Sequence, residues 1–331
     1  MSGLPRVALI STGGTIDAVG ASRLDLAWYT ETKDRLPDGG LLAALPELGT
    51  VADVVQVPFV RMPSYALSTA DWALLAATVR ELAADGMYDG IVITHGTNTL
   101  EETAFLLSLT ISTRIPVVLV GAMRPANGLG SDGAINLLQA VRLAGSAQAR
   151  GHGVLVMLND TVFAARDATK TATFRVNAFA APGLGPLGHV DADGEIRLSH
   201  IHATNAIPAF DVGDIAGMPR VDVVLSYVGA DGAMIEAAVG AGARGIVSAG
   251  TGAGRPTPAE SDALDAAAAQ GVVVCQSTRV QSGRVSRSPA MKAARRVTAP
   301  AMAPWQARIA LALAVQRTDD IDEIQITLDA L

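Results

Sequence analysis

Residues 91–103 read Ile-Val-Ile-Thr-His-Gly-Thr-Asn-Thr-Leu-Glu-Glu-Thr, an apolar run that ends in small polar residues and passes straight into a helix start. No other stretch constrains the fold as strongly. Residues 91–94 read as a buried strand, and Thr99 followed three positions later by Glu102 predicts a capping box that opens a helix over residues 100–112. Gly96, Thr97 and Asn98 then occupy a strand-to-helix turn. In an open parallel sheet such turns lie at the carboxyl ends of the strands, where ligands bind, and helix N-terminal N–H groups favour anions. A single Thr-Asn pair would be read as a structural cap, but two more segments share the design. Residues 7–10 run into Ser11-Thr12-Gly13-Gly14-Thr15-Ile16, which puts Thr12 at a strand end before two residues that allow close backbone approach. Residues 154–158 lead into Asn159-Asp160 and then Arg166-Asp-Ala-Thr-Lys-Thr171, which brings Lys170 into a similar context. Threonine hydroxyls with one lysine suggest a nucleophile and its base.

Short apolar runs alternate with amphipathic segments along the chain, the pattern of an α/β protein with a doubly wound sheet. Strands are expected at 7–11, 51–59, 91–94, 117–120 and 154–158, with helices at 71–84, 100–112 and 134–144. The second half restarts at 221–227, continues through 246–248 and 272–276, and ends in a helix over 305–315. Thr257 and Glu260 form a second expected capping box, with Pro258 at the first helical position. The stretch 198–220 has no sustained period and carries His200, His202, Pro208, Gly213, Gly217 and Pro219. These features predict two domains: a large doubly wound N-terminal catalytic α/β domain over 1–198 and a smaller C-terminal α/β domain over 221–331, joined by a linker at 199–220.

Composition narrows the function. A chain of 331 residues, half of them hydrophobic, can bury a sizeable core. A net charge of −7 without a basic patch argues against nucleic acid or an anionic membrane as partner. The short basic run 292–296 reads as a solvated helix end. The lone Cys275 lies in an apolar run and reads as a buried, inert thiol. His200 and His202 lack a third metal ligand and read as linker residues, and His95 reads as structural. The N-terminus lacks a signal-like segment, no apolar run is long enough to span a membrane, and the expected location is the cytoplasm.

Taken together, T-G-G-T-I at 12–16, H-G-T-N-T-L-E-E-T at 95–103 and R-D-A-T-K-T at 166–171 resemble the bacterial-type L-asparaginase/glutaminase family over nearly the whole chain. Supporting matches are G-A-M-R-P at 121–125, S-D-G-A-I-N at 131–136, G-P-L-G at 185–188 and G-I-V-S-A-G at 245–250. The resemblance implies a metal-free, cofactor-free threonine amidohydrolase that forms a homodimer or homotetramer. Thr12 is then expected as the nucleophile, with Thr97 and Lys170 relaying its proton and Tyr29 contributed by a lid over 18–38. Ser64 is expected to hold a substrate carboxylate, with Tyr65, Gly96, Asn98 and Ala122 around the substrate. Backbone N–H groups near Gly96–Thr97 or Ala122 would stabilise the oxyanion.

The chain departs from the family at one set of positions. Asn98 stands where the motif has Asp, Tyr65 follows Ser64, Ala253 stands at the motif's Asn, and residues 286–290 contain no carboxylate. In the family these positions hold the substrate's α-ammonium, and an ammonium taken from water needs an anion or several acceptors beside it. The reading therefore divides three ways: an asparaginase with a rearranged ammonium site, an amidase, imide or lactam hydrolase acting on a substrate without a free α-amine, or a non-catalytic small-molecule binder. Asn98 in place of a carboxylate would also let Lys170 reach its neutral form more readily.

Overall fold

A computed structural model describes residues 3–199 and 210–331. The chain divides into two compact units, Met1–Pro208 and Ala209–Leu331. In the first, β1 (Arg6–Ser11) is followed by α1 (Gly40–Ala44), β2 (Asp53–Val57), α2 (Thr69–Ala84), β3 (Gly90–Thr94), α3 (Leu100–Thr110), β4 (Val117–Val120), α4 (Gly133–Gly145) and β5 (Val154–Leu158). Then come β6 (Thr161–Ala164), a two-residue β7 (Thr169–Lys170), β8 (Phe179–Ala180), β9 (Gly188–Val190) and β10 (Ile196–Leu198). The eight-stranded sheet runs β10-β9-β6-β5-β4-β3-β1-β2. It is parallel from β5 to β2 and antiparallel beyond β5. The central strands β3, β4 and β5 are buried at every position, as strands covered on both faces should be. Val7, Leu9, Val92, Val118 and Val120 join Leu137, Val141 and Leu143 of α4 in one apolar cluster.

The strand order reverses at β1, which pairs with β2 on one side and β3 on the other. That is the topological switch point, where a crevice opens beyond the carboxyl ends of neighbouring strands. The turns after β1 and β3 approach each other there. Gly14 has φ of +111°, and a Cβ on it would lie 2.6 Å from Gly96 Cα. A side chain at Gly14 would push the two turns apart.

The second unit holds β11 (Val221–Leu225), α5 (Ala233–Gly240), β12 (Gly245–Gly250), α6 (Pro258–Ala269), β13 (Val273–Thr278), α7 (Pro289–Ala293), β14 (Val297–Thr298), α8 (Pro304–Arg317) and α9 (Ile321–Ala330). Its four strands are all parallel in the order β11-β12-β13-β14. Ile235 and Ala238 of α5 and Leu264 and Ala267 of α6 pack on Val224, Ile246 and Val274. The expected box at α6 is present, with Glu260 N–H donating to Thr257 Oγ1 and Thr257 N–H to the Glu260 carboxylate.

Several local expectations are corrected. Thr99 forms no capping box: its backbone, at φ −130° and ψ 17°, is turned out of the extended N-cap conformation, and its hydroxyl donates to the Ser64 carbonyl at 2.9 Å. The basic run 292–296 is not wholly solvated, since Arg296 is buried and donates to Asp265. Within the expected linker, Phe210, Val212 and Ile215 are buried; His200, His202 and Pro208 lie outside the described residues. Cys275 is fully buried, and burial pushes its thiol up to about 12.

Candidate active site

A cavity of about 450 Å³ opens at the switch point. The β1 turn contributes Gly14 and Thr15, the β3 turn contributes Gly96, Thr97 and Asn98, and β7 contributes Lys170. Lys170 Nζ donates to Thr97 Oγ1 at 2.8 Å and to Asn98 Oδ1 at 3.4 Å. Its backbone N–H donates to the Glu101 carboxylate in the first turn of α3. Burial holds the Lys170 amine below its ordinary value, and the charge of Glu101 opposes this in part. A lysine so placed reaches its neutral, proton-accepting form at lower pH than one in water. Sequence reasoning missed Glu101, which looked like an ordinary acid of a helix first turn.

Thr12, expected at the site, does not line the cavity, and Thr15, which had no expected role, does. Thr12 extends the sheet, its N–H and its hydroxyl both donating to the Thr94 carbonyl at 3.1 and 2.8 Å, and it does not line the cavity. Gly13 and Gly14 both have positive φ and turn the chain, so the residue after them faces the crevice. That residue is Thr15, whose hydroxyl lies 2.8 Å from the Tyr29 phenol oxygen. Burial and the nearby carboxylates of Asp132 and Asp25 raise the Tyr29 phenol, so it stays protonated at neutral pH. The geometry thus brings together two hydrogen-bonded pairs, Thr15 with Tyr29 and Thr97 with Lys170, around one space. Two threonines flanking Gly-Gly in 12–15 were the available signal, and the direction of the turn decided between them.

Ser64 lines the cavity, is buried, and its hydroxyl has no hydrogen-bond partner among the described residues. Tyr65 also lines it and is largely exposed. Ala122 does not: it is fully buried, and its neighbour Met123 lines the wall instead, with its N–H already given to Asp132. Asp132 also accepts from Arg124 N and Asn136 Nδ2, which makes it a brace for the 121–136 loop rather than a partner in an ion pair. His95 is fully buried. The Gly96 carbonyl can only accept, so Nδ1 carries the proton. The Trp72 indole donates to Thr103 Oγ1, whose own hydrogen goes to His95 Nε2. Burial holds this imidazole down at about 4, and it is structural. Among the described residues no group of three or more His, Cys, Asp or Glu side chains is placed to hold a metal ion.

The fold and this arrangement of hydroxyls around a lysine define an amidohydrolase class that comparison with known proteins makes specific. Residues 6–203 match the model described as Asparaginase, N-terminal, and residues 220–328 match the Glutaminase/Asparaginase C-terminal domain. The chain is 37% identical to the probable periplasmic L-asparaginase of Haemophilus influenzae, over 97% of its own length and 92% of that protein. It is 37% identical to the glutaminase-asparaginase of Pseudomonas aeruginosa, covering 97% and 89%. The crystal structure of a probable cytoplasmic L-asparaginase from Campylobacter jejuni superposes with a TM-score of 0.91 at 35% identity, covering 98% of this chain and 99% of that one. The chain belongs to the asparaginase family and is an amidohydrolase acting on a linear amide.

Proposed function

We propose that this enzyme hydrolyses the carboxamide of a small acid amide that lacks a free α-amine, through a threonyl acyl-enzyme formed on Thr15. One observation carries the choice of substrate: among the described residues lining the cavity Asp34 is the only carboxylate, and Asn98 stands beside Lys170. An α-ammonium desolvated beside Asn98 would meet a neutral amide and the Lys170 side chain, with no carboxylate to offset the cost there. Ser64 lines the cavity, and a turn of its side chain brings the buried, unpartnered hydroxyl to a substrate carboxylate.

In the proposed mechanism Thr15 Oγ1 attacks the carboxamide carbon, and its proton passes through the hydroxyl relay to neutral Lys170 by way of Thr97. The tetrahedral intermediate collapses as the relay returns a proton to the nitrogen, and ammonia leaves. Water then adds to the acyl-enzyme, the same relay takes its proton, and the acid departs as Thr15 regains its hydrogen. Tyr29, a neutral phenol beside Thr15, orients the hydroxyl and stabilises its developing charge. Gly96 and Thr97 N–H groups, on the cavity wall at the turn before α3, serve the oxyanion.

Ammonia release from L-asparagine and from succinamate, its deamino analogue, tests the substrate. The expected result is a higher kcat/KM for succinamate. A kcat/KM for L-asparagine of about 10⁴ M⁻¹s⁻¹ or more, exceeding that for succinamate, would falsify the reading. A cytoplasmic homodimer or homotetramer completes the proposal, supported by the description of the Campylobacter neighbour as cytoplasmic; light scattering on the purified chain tests the assembly.

A further inference from the structure

The segment between Ile16 and Asp38 brings cations to the cavity that the reaction above does not use. Lys33, Arg35 and Arg61 all line it. Arg35 and Arg61 share one carboxylate, Asp17, which is fully buried: Arg35 Nη1 donates to Oδ1 and Arg61 Nη1 to Oδ2, each at 3.2 Å. Arg61 is further occupied by the Leu36 carbonyl and by Asp38. Arg35 is not. Among the described residues its only side-chain partner is Asp17, so its Nε and Nη2 edge keeps its donors free.

Arg35 is also held in place. An Ala18–Arg35 bridge, Val19 N–H to the Asp34 carbonyl and Leu36 N–H to the Asp17 carbonyl fasten the base of the segment. Arg35 Nη1 and the Met62 backbone crowd the same face of Gly13, where an added Cβ would lie 2.6 Å from the first and 3.1 Å from the second. Ser64, with its unpartnered hydroxyl, follows Met62 by two residues. A guanidinium edge with free donors and an unpartnered hydroxyl therefore both line the cavity. A guanidinium fork matches a carboxylate in shape and charge, and Asp17 fixes the fork before the ligand arrives.

We propose that Arg35, braced by Asp17 and Arg61, is a specificity-determining residue that binds the carboxylate of the amide substrate together with Ser64. The substrate class is then the monoamide of a small dicarboxylic acid, and simple neutral amides are poor substrates because they leave this edge empty. The inference rests on the acid-amide reading above and deepens it.

The test separates the two. Succinate, the dicarboxylate product of succinamate, is titrated into the wild-type enzyme and into Arg35→Gln by calorimetry, and KM and kcat are measured for four amides. L-Asparagine carries carboxylate and amine, succinamate the carboxylate alone, 3-aminopropanamide the amine alone, and propanamide neither. Arg35→Gln is expected to weaken succinate about tenfold, or about 1.4 kcal/mol, and to raise KM for both carboxylate-bearing amides while kcat stays within about threefold. Values for the two amides without a carboxylate should not move. Succinate affinity changed by less than about threefold, a wild type that binds succinate no better than propanamide, or a parallel fall on all four amides would overturn the proposal. Should Arg35→Gln fail to fold, Arg35→Lys keeps the charge against Asp17 but loses the fork: a threefold or greater loss of succinate affinity supports the proposal and an unchanged affinity overturns it. The ranking of L-asparagine against succinamate decides the amine question independently, because both carry the carboxylate.

Discussion

A hydroxyl is useful to catalysis only where substrate can reach it, and Thr12 and Thr15 differ in that respect. Thr12 spends its hydrogen on the Thr94 carbonyl inside the sheet, whereas Thr15 faces the cavity beside Tyr29. Thr15→Ala is expected to lower kcat/KM at least about 10³-fold, equivalent to about 4 kcal/mol of barrier, with an unchanged melting temperature. Thr12→Ala should keep more than about a tenth of the rate and lose about 1 kcal/mol of stability with its buried hydrogen bond. The reverse pattern would return the nucleophile to Thr12. The sequence made the hydroxyl pair and its lysine legible, but not which threonine faces the crevice, because that depends on the positive φ of Gly13 and Gly14. Asn98 was legible too, and its consequence is electrostatic. Asn98→Asp would set a carboxylate near Lys170 Nζ and favour the charged amine, so the rising limb of the pH–rate profile should move to higher pH. A limb that stays fixed, or moves to lower pH, would show that this position does not govern the protonation of the base.

Elements with a strong periodic pattern, such as β4 and α4, were legible to within a residue or two, while β7, β8 and β14 are two residues long and offer no period to read. The two expected capping boxes had similar spacing and opposite outcomes. Thr257 is extended, so its hydroxyl accepts from Glu260 N–H while it donates to the Ala230 carbonyl. Thr99, whose hydroxyl donates to the Ser64 carbonyl 35 residues away in sequence, has a backbone turned out of the extended N-cap conformation, and tertiary context overrides the local motif. That bond ties the start of α3 to the short helical turn Ser64–Ala66, and so to the wall proposed to bind the substrate carboxylate. Thr99→Val keeps the shape and removes the donor. The expected outcome is a KM for acid amides raised severalfold, with kcat less affected and stability lowered by about 1 kcal/mol. A melting temperature that falls while KM holds would assign Thr99 to stability alone.

At the scale of the molecule, alternation of strands and helices was enough to give an α/β chain with a large first sheet and a smaller second one. It did not give the antiparallel edge β6-β9-β10, whose strands are three or four residues long and separated by turns. Nor did it show how the first unit is cross-linked through its interior. Trp72 of α2, Thr103 of α3 and His95 at the end of β3 form one hydrogen-bonded chain that needs a neutral imidazole. That requirement makes stability depend on pH with a definite sign. The imidazole is held at about 4 in the folded protein against 6.5 for the free group. Below about pH 6.5 the unfolded chain therefore binds a proton that the folded chain refuses until about pH 4. The contribution of His95 is complete above the unfolded value, declines as pH falls through this window, and reaches a total loss of about 3 kcal/mol. His95→Gln should cost stability at pH 7, since the replacement fits the Thr103 and Gly96 partners less well, yet flatten the decline between pH 6.5 and 4. Thermal unfolding of both proteins across that range measures it, and equal slopes for wild type and variant would show that other groups, not His95, drive the acid sensitivity.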